Sequence, residues 1–416
     1  MSVWPEIKVA QLISDGVIAL NDGYRVTNKE LGVTGTPFVR GGDIGHRGEI
    51  YTEVADHVLP EFSNRIFSKL TKPGDVAFIT KGTVGRTGFL RDGQPPVVFA
   101  PQVCYWRSLK PEILSPRFLF YLLSSGYFQR NLDAVKTHGS MAADYVSLSD
   151  QKSFQLPLPP AKTQRAIAEV LGALDDKIEL NVKMNAIFEQ MARRSFKSWF
   201  IDFDPVRAKL DGKKPFGMDD ATATHFPDSF EKSEMGEIPK GWLPRTVGEI
   251  ATLSGGKQLE RELIAPDGAT PVFGGAGIMG FTSDYNADGF VISIGRVGAY
   301  CGQFFAYRGK AWINNNASLI KPNDEQIAEW LFLSLKHVNI DVIKKGAAQP
   351  FVSNGDIANL KIVWPGDQVV TSFSSQIVPL LNALAANDAE SKTLAQIRDL
   401  LLPRLLSGEI TIKDMS

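Results

Sequence analysis

The chain has 416 residues, 44% of them apolar and 22% charged, with a formal net charge of −1 at pH 7. That length exceeds one ordinary core and calls for two or more domains, and the apolar and charged shares are those of a soluble globular protein. The near-neutral charge counts against a strongly basic nucleic-acid-binding domain. Two cysteines, Cys104 and Cys301, exclude a disulfide framework and point to a reducing, cytoplasmic setting. The opening MSVWPEIKVAQLISDG has no basic region followed by an apolar run, so no signal peptide is expected. No stretch approaches the ~20 apolar residues of a membrane span.

Residues 1–158 read as an α+β domain. Val9 to Ile18 opens it as a short amphipathic segment, and glycine-rich turns follow at GTPF (35–38) and RGGDIG (40–45). GDVAFITKGTVGRTGFL (74–90) predicts two strands around a tight glycine turn. Val97–Trp106 predicts another strand, Pro116 to Leu132 an aromatic-rich helix, and Gly139 to Pro157 a loop and strand.

Residues 159–200 predict a long helix. Apolar residues recur at Ile167, Leu171, Leu174 and Ile178 in alternating steps of four and three, resume at Phe188 and end near Trp199. This is the rhythm of a coiled-coil seam. Pro159 and Pro160 bar helix upstream, and Thr163 is a candidate start. Such a helix, rising 1.5 Å per residue, is long enough to hold two domains apart.

Residues 201–240 predict a linker, because Pro205, Gly212, Pro215, Gly217, Pro227, Gly236 and Pro239 preclude long regular structure. A basic run (Arg193, Arg194, Lys197, Arg207, Lys209, Lys213, Lys214) precedes an acidic stretch from Asp219 to Glu237.

Residues 241–366 repeat the first domain. Trp4 and Val9 correspond to Trp242 and Val247, GTVG (82–85) to GRVG (295–298), and YVSLSD (145–150) to FVSNGD (351–356). The offset shrinks along the domain, so the frame is kept while the interior varies. That is the mark of a duplicated scaffold with two recognition surfaces.

Residues 367–410 repeat the long helix at one constant offset: Phe373, Ile377, Leu380, Leu384, Asn387 and Leu394 stand for Ile167, Leu171, Leu174, Ile178, Asn181 and Phe188. Antiparallel pairing about a pseudo-twofold axis would bring Asn181 and Asn387 together, and a buried Asn pair fixes register. Pro379 is expected to kink the second helix or delay its regular part, and Gly408 to end it. The expected fold class is therefore α+β: two similar domains separated by two long helices that pair as an antiparallel coiled coil, with a pseudo-twofold internal repeat.

Catalytic patterns are absent. GAGIMG (275–280) matches G-x-G-x-x-G but lacks the following helix that a nucleotide site needs. There is no phosphate-loop motif, and histidines 46, 57, 138, 225 and 337 show no metal-ligand spacing. The chain reads as non-catalytic, without cofactor or metal of its own. What remains are paired polar loops. The first domain offers Arg40, His46, Arg47, Lys81, Thr83, Arg86 and Gln102; the second offers Lys257, Gln258, Arg296, Tyr300, Trp312, Asn314, Asn315 and Asn316. Arg and Lys pair with guanine, and Asn and Gln with adenine, in the major groove of double-stranded DNA.

On these features the chain resembles the specificity subunits of type I restriction–modification enzymes. The resemblance rests on LPLPPAKTQRAIAEVLGALDDKIELN (156–181), RSFKSWFIDFDPVRAK (194–209), LLLPRLLSGEI (400–410) and KGTVG (81–85) with its GRVG counterpart. It implies two target-recognition domains, each reading half of a split site, with helices that set the unread spacer. It also implies partners: modification subunits, two in number, that carry S-adenosylmethionine and methylate adenine, and a restriction subunit using ATP and Mg. A methyltransferase-only system, or a helical scaffold that binds no DNA, are the competing expectations.

Overall fold

The computed structural model describes residues 3–135, 145–346 and 348–411; His138 and the segment from Gly139 to residue 144 lie outside them. The chain forms two units, one of Met1–Asn181 with Asp388–Ser416 and the other of Val182–Asn387. Each long helix gives one half to each unit. The fold is α+β with an internal repeat, as the sequence predicts.

The first unit holds a four-stranded antiparallel sheet in the order Ile18–Asp22, Val103–Ser108, Val76–Ile79, Thr87–Phe89. A second sheet joins Leu31–Gly32, His57–Val58, Thr36–Val39 and Val98–Phe99, the last pair parallel. The second unit repeats this plan. Its four-stranded sheet runs Ala251–Gly255, Ala317–Pro322, Phe290–Gly295, Phe304–Arg308, and Thr270–Gly274 pairs in parallel with Trp312–Ile313.

Two expected elements are each divided. The strand expected over 97–106 is two strands, because Ala100–Gln102 turns away and the Gln102 carbonyl accepts from Thr80 N at 2.8 Å. The helix expected from Pro116 to Leu132 is two, Pro116–Leu123 and Gly126–Val135. Ser125 breaks it: its hydroxyl donates to the Leu122 carbonyl at 2.7 Å and accepts from Phe128 N at 3.4 Å, the local bonding that favours helix starts over helix interiors.

Matched hydrogen bonds recur within the two repeats. Val9 N donates to Phe154 O and Val247 N to Leu360 O, both at 2.9 Å. Ser147 and Ser353 each cap a short helix, with Asp150 and Asp356 reciprocating in capping boxes. A close approach of backbone recurs too. A Cβ on Gly23 would stand 2.0 Å from Ala100 O, and one on Gly256 would stand 2.0 Å from Asn314 O. Only glycine fits either place. Gly256→Ala is expected to cost about 1–3 kcal/mol through forced backbone displacement, read as a lowered denaturant midpoint with unchanged slope.

The long helices run Ala161–Phe200 and Asp367–Ser407. Within each unit they pair antiparallel. In the first unit Asp175 meets Arg398 at 2.7 Å, and Asn181 Nδ2 donates to Glu390 Oε2 at 2.8 Å and Ser391 Oγ at 3.2 Å. In the second, Asn185 Nδ2 donates to Leu384 O at 3.3 Å, Asn387 Nδ2 donates to Asn185 Oδ1 at 2.9 Å, and the rings of Phe196 and Phe200 lie 5.9 and 5.0 Å from that of Phe373. The middle of the seam is thus polar over a longer run than the two expected asparagines. Ile167 and Leu171 are buried in the first unit's core, and Phe373 and Ile377 in the second's. Ile178 is buried, while Leu174, Phe188, Leu380, Leu384 and Leu394 are half-buried.

Pro379 does not delay the second helix, which is regular from Asp367. The site is exposed, so water can satisfy the carbonyl that proline leaves without an N–H donor. Gly408, at φ 77°, follows the last helical residue, the left-handed position that favours glycine. This helix is also long and apolar enough to cross a membrane by length and composition, contrary to the expectation of none; its Phe373 and Ile377 are instead buried in a protein core.

Residues 201–240, expected as a linker, are a folded part of the second unit. Asp204–Leu210 and Asp220–Thr224 are short helices, and Phe230–Ser233 pairs with Gly236–Pro239 as a hairpin. Val206, Phe226 and Ile238 join the core with Trp199 and Trp242. Frequent Pro and Gly shorten the elements without preventing burial, because each short piece presents one apolar residue to the same aromatic cluster.

Candidate nucleic-acid interface

In both units the glycine turn is held by the same backbone frame. Thr80 N donates to Gln102 O at 2.8 Å, Val146 N to Thr80 O at 3.0 Å, and Gly85 N to Ile79 O at 2.9 Å. The counterparts are Arg296 N to Asn316 O at 3.0 Å, Val352 N to Arg296 O at 3.0 Å, and Gly302 N to Gly295 O at 2.8 Å. Gly82 and Gly85 have φ of 91° and 96°, Gly298 and Gly302 φ of 80° and 86°.

This frame corrects the sequence alignment. GTVG resembles GRVG, but the hydrogen bonds equate Thr80 with Arg296, Lys81 with Val297, and Gly82 with Gly298. The second turn then carries one more residue before Gly302. Letter similarity slipped because spacing between left-handed glycines, and not the residue between them, is what the backbone requires.

In the first unit His46, Arg47 and Arg86 line one cleft of about 330 Å³, together with Tyr121, Asp175 and Arg398. His46 and Arg47 are exposed, and Arg86 donates to Ile44 O at 3.3 Å. Lys81 and Thr83 are exposed at the turn. Among the described residues no carboxylate forms an ion pair with His46, Arg47, Lys81 or Arg86. Arg40 differs: it pairs with Asp56 at 2.6 Å and lies over the Phe38 ring, so its charge is already used. Gln102 is half-buried and contributes its carbonyl to the turn.

In the second unit Asn315 Nδ2 donates to Gln258 Oε1 at 3.4 Å, which places those two side chains together. Lys257 is exposed, its backbone N bonded to Ile313 O and its carbonyl to the Trp312 indole, each at 2.9 Å. Arg296 is half-buried, its Nε 3.5 Å from Val352 O. Asn316 and Tyr300 are exposed. Asn314 is buried and turns inward, accepting Asn315 N at 2.6 Å, so its side chain shapes the loop. GAGIMG is the turn and the start of the second strand, Gly277–Thr282, of a hairpin in which Gly274 pairs with Gly277, and no helix follows it.

The frame beside the second turn is charged and pH-sensitive. Lys345 donates two bonds of 2.8 Å to Asp356, and this, with the Ser353 hydroxyl, holds the carboxyl below its usual range. A depressed folded-state value contributes stability above the ordinary carboxylate pKa of about 3.9 and loses it as pH falls through the lower value.

The basic run at 193–214 is largely spent internally. Arg193 pairs with Glu189, Lys197 with Asp202, Lys213 with Asp211 and Lys214 with Asp220, while Lys209 donates to the Ala223 and Phe226 carbonyls.

Two exposed aromatics escaped the sequence reading. Tyr145 bridges to Lys81 and Phe351 to Val297, at equivalent positions beside the two turns. The signal was present in the aligned first letters of YVSLSD and FVSNGD.

The family described as type I restriction modification DNA specificity domain matches residues 15–189 and 239–398, one copy for each repeat. The chain belongs to this family. Similar members include the HindI specificity subunit of Haemophilus influenzae, 27% identical over 72% of this chain and 78% of that one. The MjaIX specificity subunit of Methanocaldococcus jannaschii is 25% identical over 91% of this chain and 88% of its own. Among solved structures, the type I restriction–modification S subunit of M. genitalium has a TM-score of 0.61 at 19% identity, covering 97% of this chain and 96% of that one, a likeness of fold. Family members of this kind are specificity subunits.

Proposed function

We propose that the chain is the DNA sequence-specificity subunit of a type I restriction–modification complex. Each unit reads one half of a bipartite, asymmetric site. The single observation that supports this most is the matched turn frame: backbone hydrogen bonds are the same in both units, while Thr80, Lys81 and Gln102 of one correspond to Arg296, Val297 and Asn316 of the other. Constant backbone with changed side chains is what two readers of different bases require.

The helices fix the spacing between half-sites and dock the modification subunits. Exposed apolar residues on them support docking: Leu180 and Leu400 in the first unit, Val182, Ile187 and Met191 in the second. Adenine methylation with S-adenosylmethionine, and ATP- and Mg-dependent cleavage, belong to partner subunits in the cytoplasm.

The deciding experiment compares adenine methylomes with and without this gene, with the modification subunit present in both. Loss of a split asymmetric motif on deletion supports the proposal; an unchanged methylome favours a scaffold without DNA binding. Adding or removing the restriction subunit separates a full system from a methyltransferase-only one.

Net charge of −1 makes a further expectation. Phosphate contacts dominate affinity, so the isolated chain should bind duplex DNA weakly and the assembled complex at least tenfold more tightly. Titration of a labelled duplex at fixed salt checks this; equal affinities would mean that this chain alone supplies the phosphate contacts.

A further inference from the structure

The second unit presents an apolar surface at a position where the first presents a cation. Lys81 stands across from Tyr145, and Val297 stands across from Phe351. Val297 is 42% and Phe351 43% exposed, and Met279, on the neighbouring hairpin, is 50% exposed.

Met279 lies among carboxamides, with Asn314 Nδ2 3.7 Å from its sulfur, and the backbone of Val297 adjoins the same loop. A Cβ on Gly274 would stand 3.0 Å from Met279 Sδ and 3.5 Å from Asn316 Oδ1, and one on Gly275 would stand 3.8 Å from the carbonyls of both Val297 and Asn316. The hairpin, the turn and the asparagine loop therefore meet. Asn315 and Gln258 are joined at 3.4 Å on the same loops, and Arg296 lies within 3.7 Å of the Cβ position of Gly255. An exposed apolar cluster rimmed by polar groups marks an interaction surface. The rim names its partner: Lys257 and Arg296 have no ion-pair partner among the described residues, which suits a polyanion.

The chemistry of the cluster selects a base pair. In the major groove only an A·T pair offers a methyl group to apolar side chains together with the N6 and N7 edge that carboxamides read. The geometry points to an A·T-rich half-site for the second unit, with Val297 and Phe351 packed on thymine methyls and Asn315 and Asn316 on the adenine edge. This inference rests on the proposed specificity function and deepens it.

The test uses the full chain assembled with its modification subunits. The methylome supplies the bipartite motif, and Asn315→Ala identifies the half read by the second unit as the one whose recognition relaxes. Each thymine of that half is then replaced by deoxyuridine in a labelled duplex, which removes only the 5-methyl group. At least one replacement should weaken binding about three- to tenfold. Phe351→Ala and Val297→Ala proteins should no longer distinguish the two duplexes, while Phe351→Leu should retain part of the difference. Undisturbed recognition of the other half-site shows that each variant is folded. Absence of thymine from that half-site, indifference to deoxyuridine, or persistent discrimination by the alanine variants would each overturn the inference while leaving the bipartite reading intact. A chain whose deletion abolishes no split motif overturns both.

Discussion

Replacing Arg398 with alanine is expected to cost the first unit about 3–5 kcal/mol, the price of leaving one member of a buried ion pair behind. Asp175 is 9% and Arg398 17% exposed at the side chain, so the cleft they line lets solvent screen the pair only in part. Tyr121 donates to the other Asp175 oxygen at 2.7 Å. Burial, reinforced by the Asp175 charge, pushes the Tyr121 phenol well above its ordinary range, so it stays a donor. Arg117 and Arg91 fasten the next turn through Asp176 and Glu179. In the single variant Asp175 keeps the phenol but loses its cation. Pairing Arg398→Met with Asp175→Asn removes both charges, keeps an acceptor for Tyr121, and should recover half or more of the loss. Denaturant unfolding of the wild type, the single variant and the double variant measures this. An Arg398→Ala protein within about 1 kcal/mol of wild type would mean that the pair behaves as a solvated surface pair.

The second large effect concerns separability. Lys81→Ala should weaken discrimination at one half-site only, and Asn315→Ala at the other only, each by about 1–3 kcal/mol, or roughly 5- to 150-fold. Both side chains are exposed on turns with independent backbone support, so truncation leaves the frame standing. Competition by duplexes altered in one half-site at a time, using the assembled complex, reads out the two effects separately. If either substitution degrades both half-sites equally, the residue is structural and the two units do not read independently. Arg40 serves as an internal contrast: its pairing with Asp56 predicts a smaller effect on specificity than Lys81→Ala.

Much of the candidate interface was legible as residue type and only partly as position. His46, Arg47, Lys81 and Arg86 are solvent-facing or line one cleft, as polar loops flanked by glycine suggest. Asn314 reads like its neighbours in the sequence, yet its side chain is consumed in shaping the loop. Tyr145 and Phe351 were not singled out because exposure is set by neighbours distant in sequence. The slip of GRVG against GTVG has the same origin: a backbone frame is fixed by hydrogen bonds accepted by the carbonyls of Gln102 and Asn316, which local similarity does not contain.

The amino-acid sequence by itself determined the duplication, the two long helices and their shared register, because apolar periodicity and capping residues act over a few residues and need no tertiary partner. Only the tertiary structure decided that residues 201–240 belong to a core, that the helix seam carries polar groups at Asp175, Asn181 and Asn185 around a buried Ile178, and that the two turns are equivalent at Lys81 and Val297. These outcomes depend on which distant groups are brought within hydrogen-bonding or packing distance. Burial gives a polar pair its strength and a short helix its stability, and burial is a property of the assembled fold.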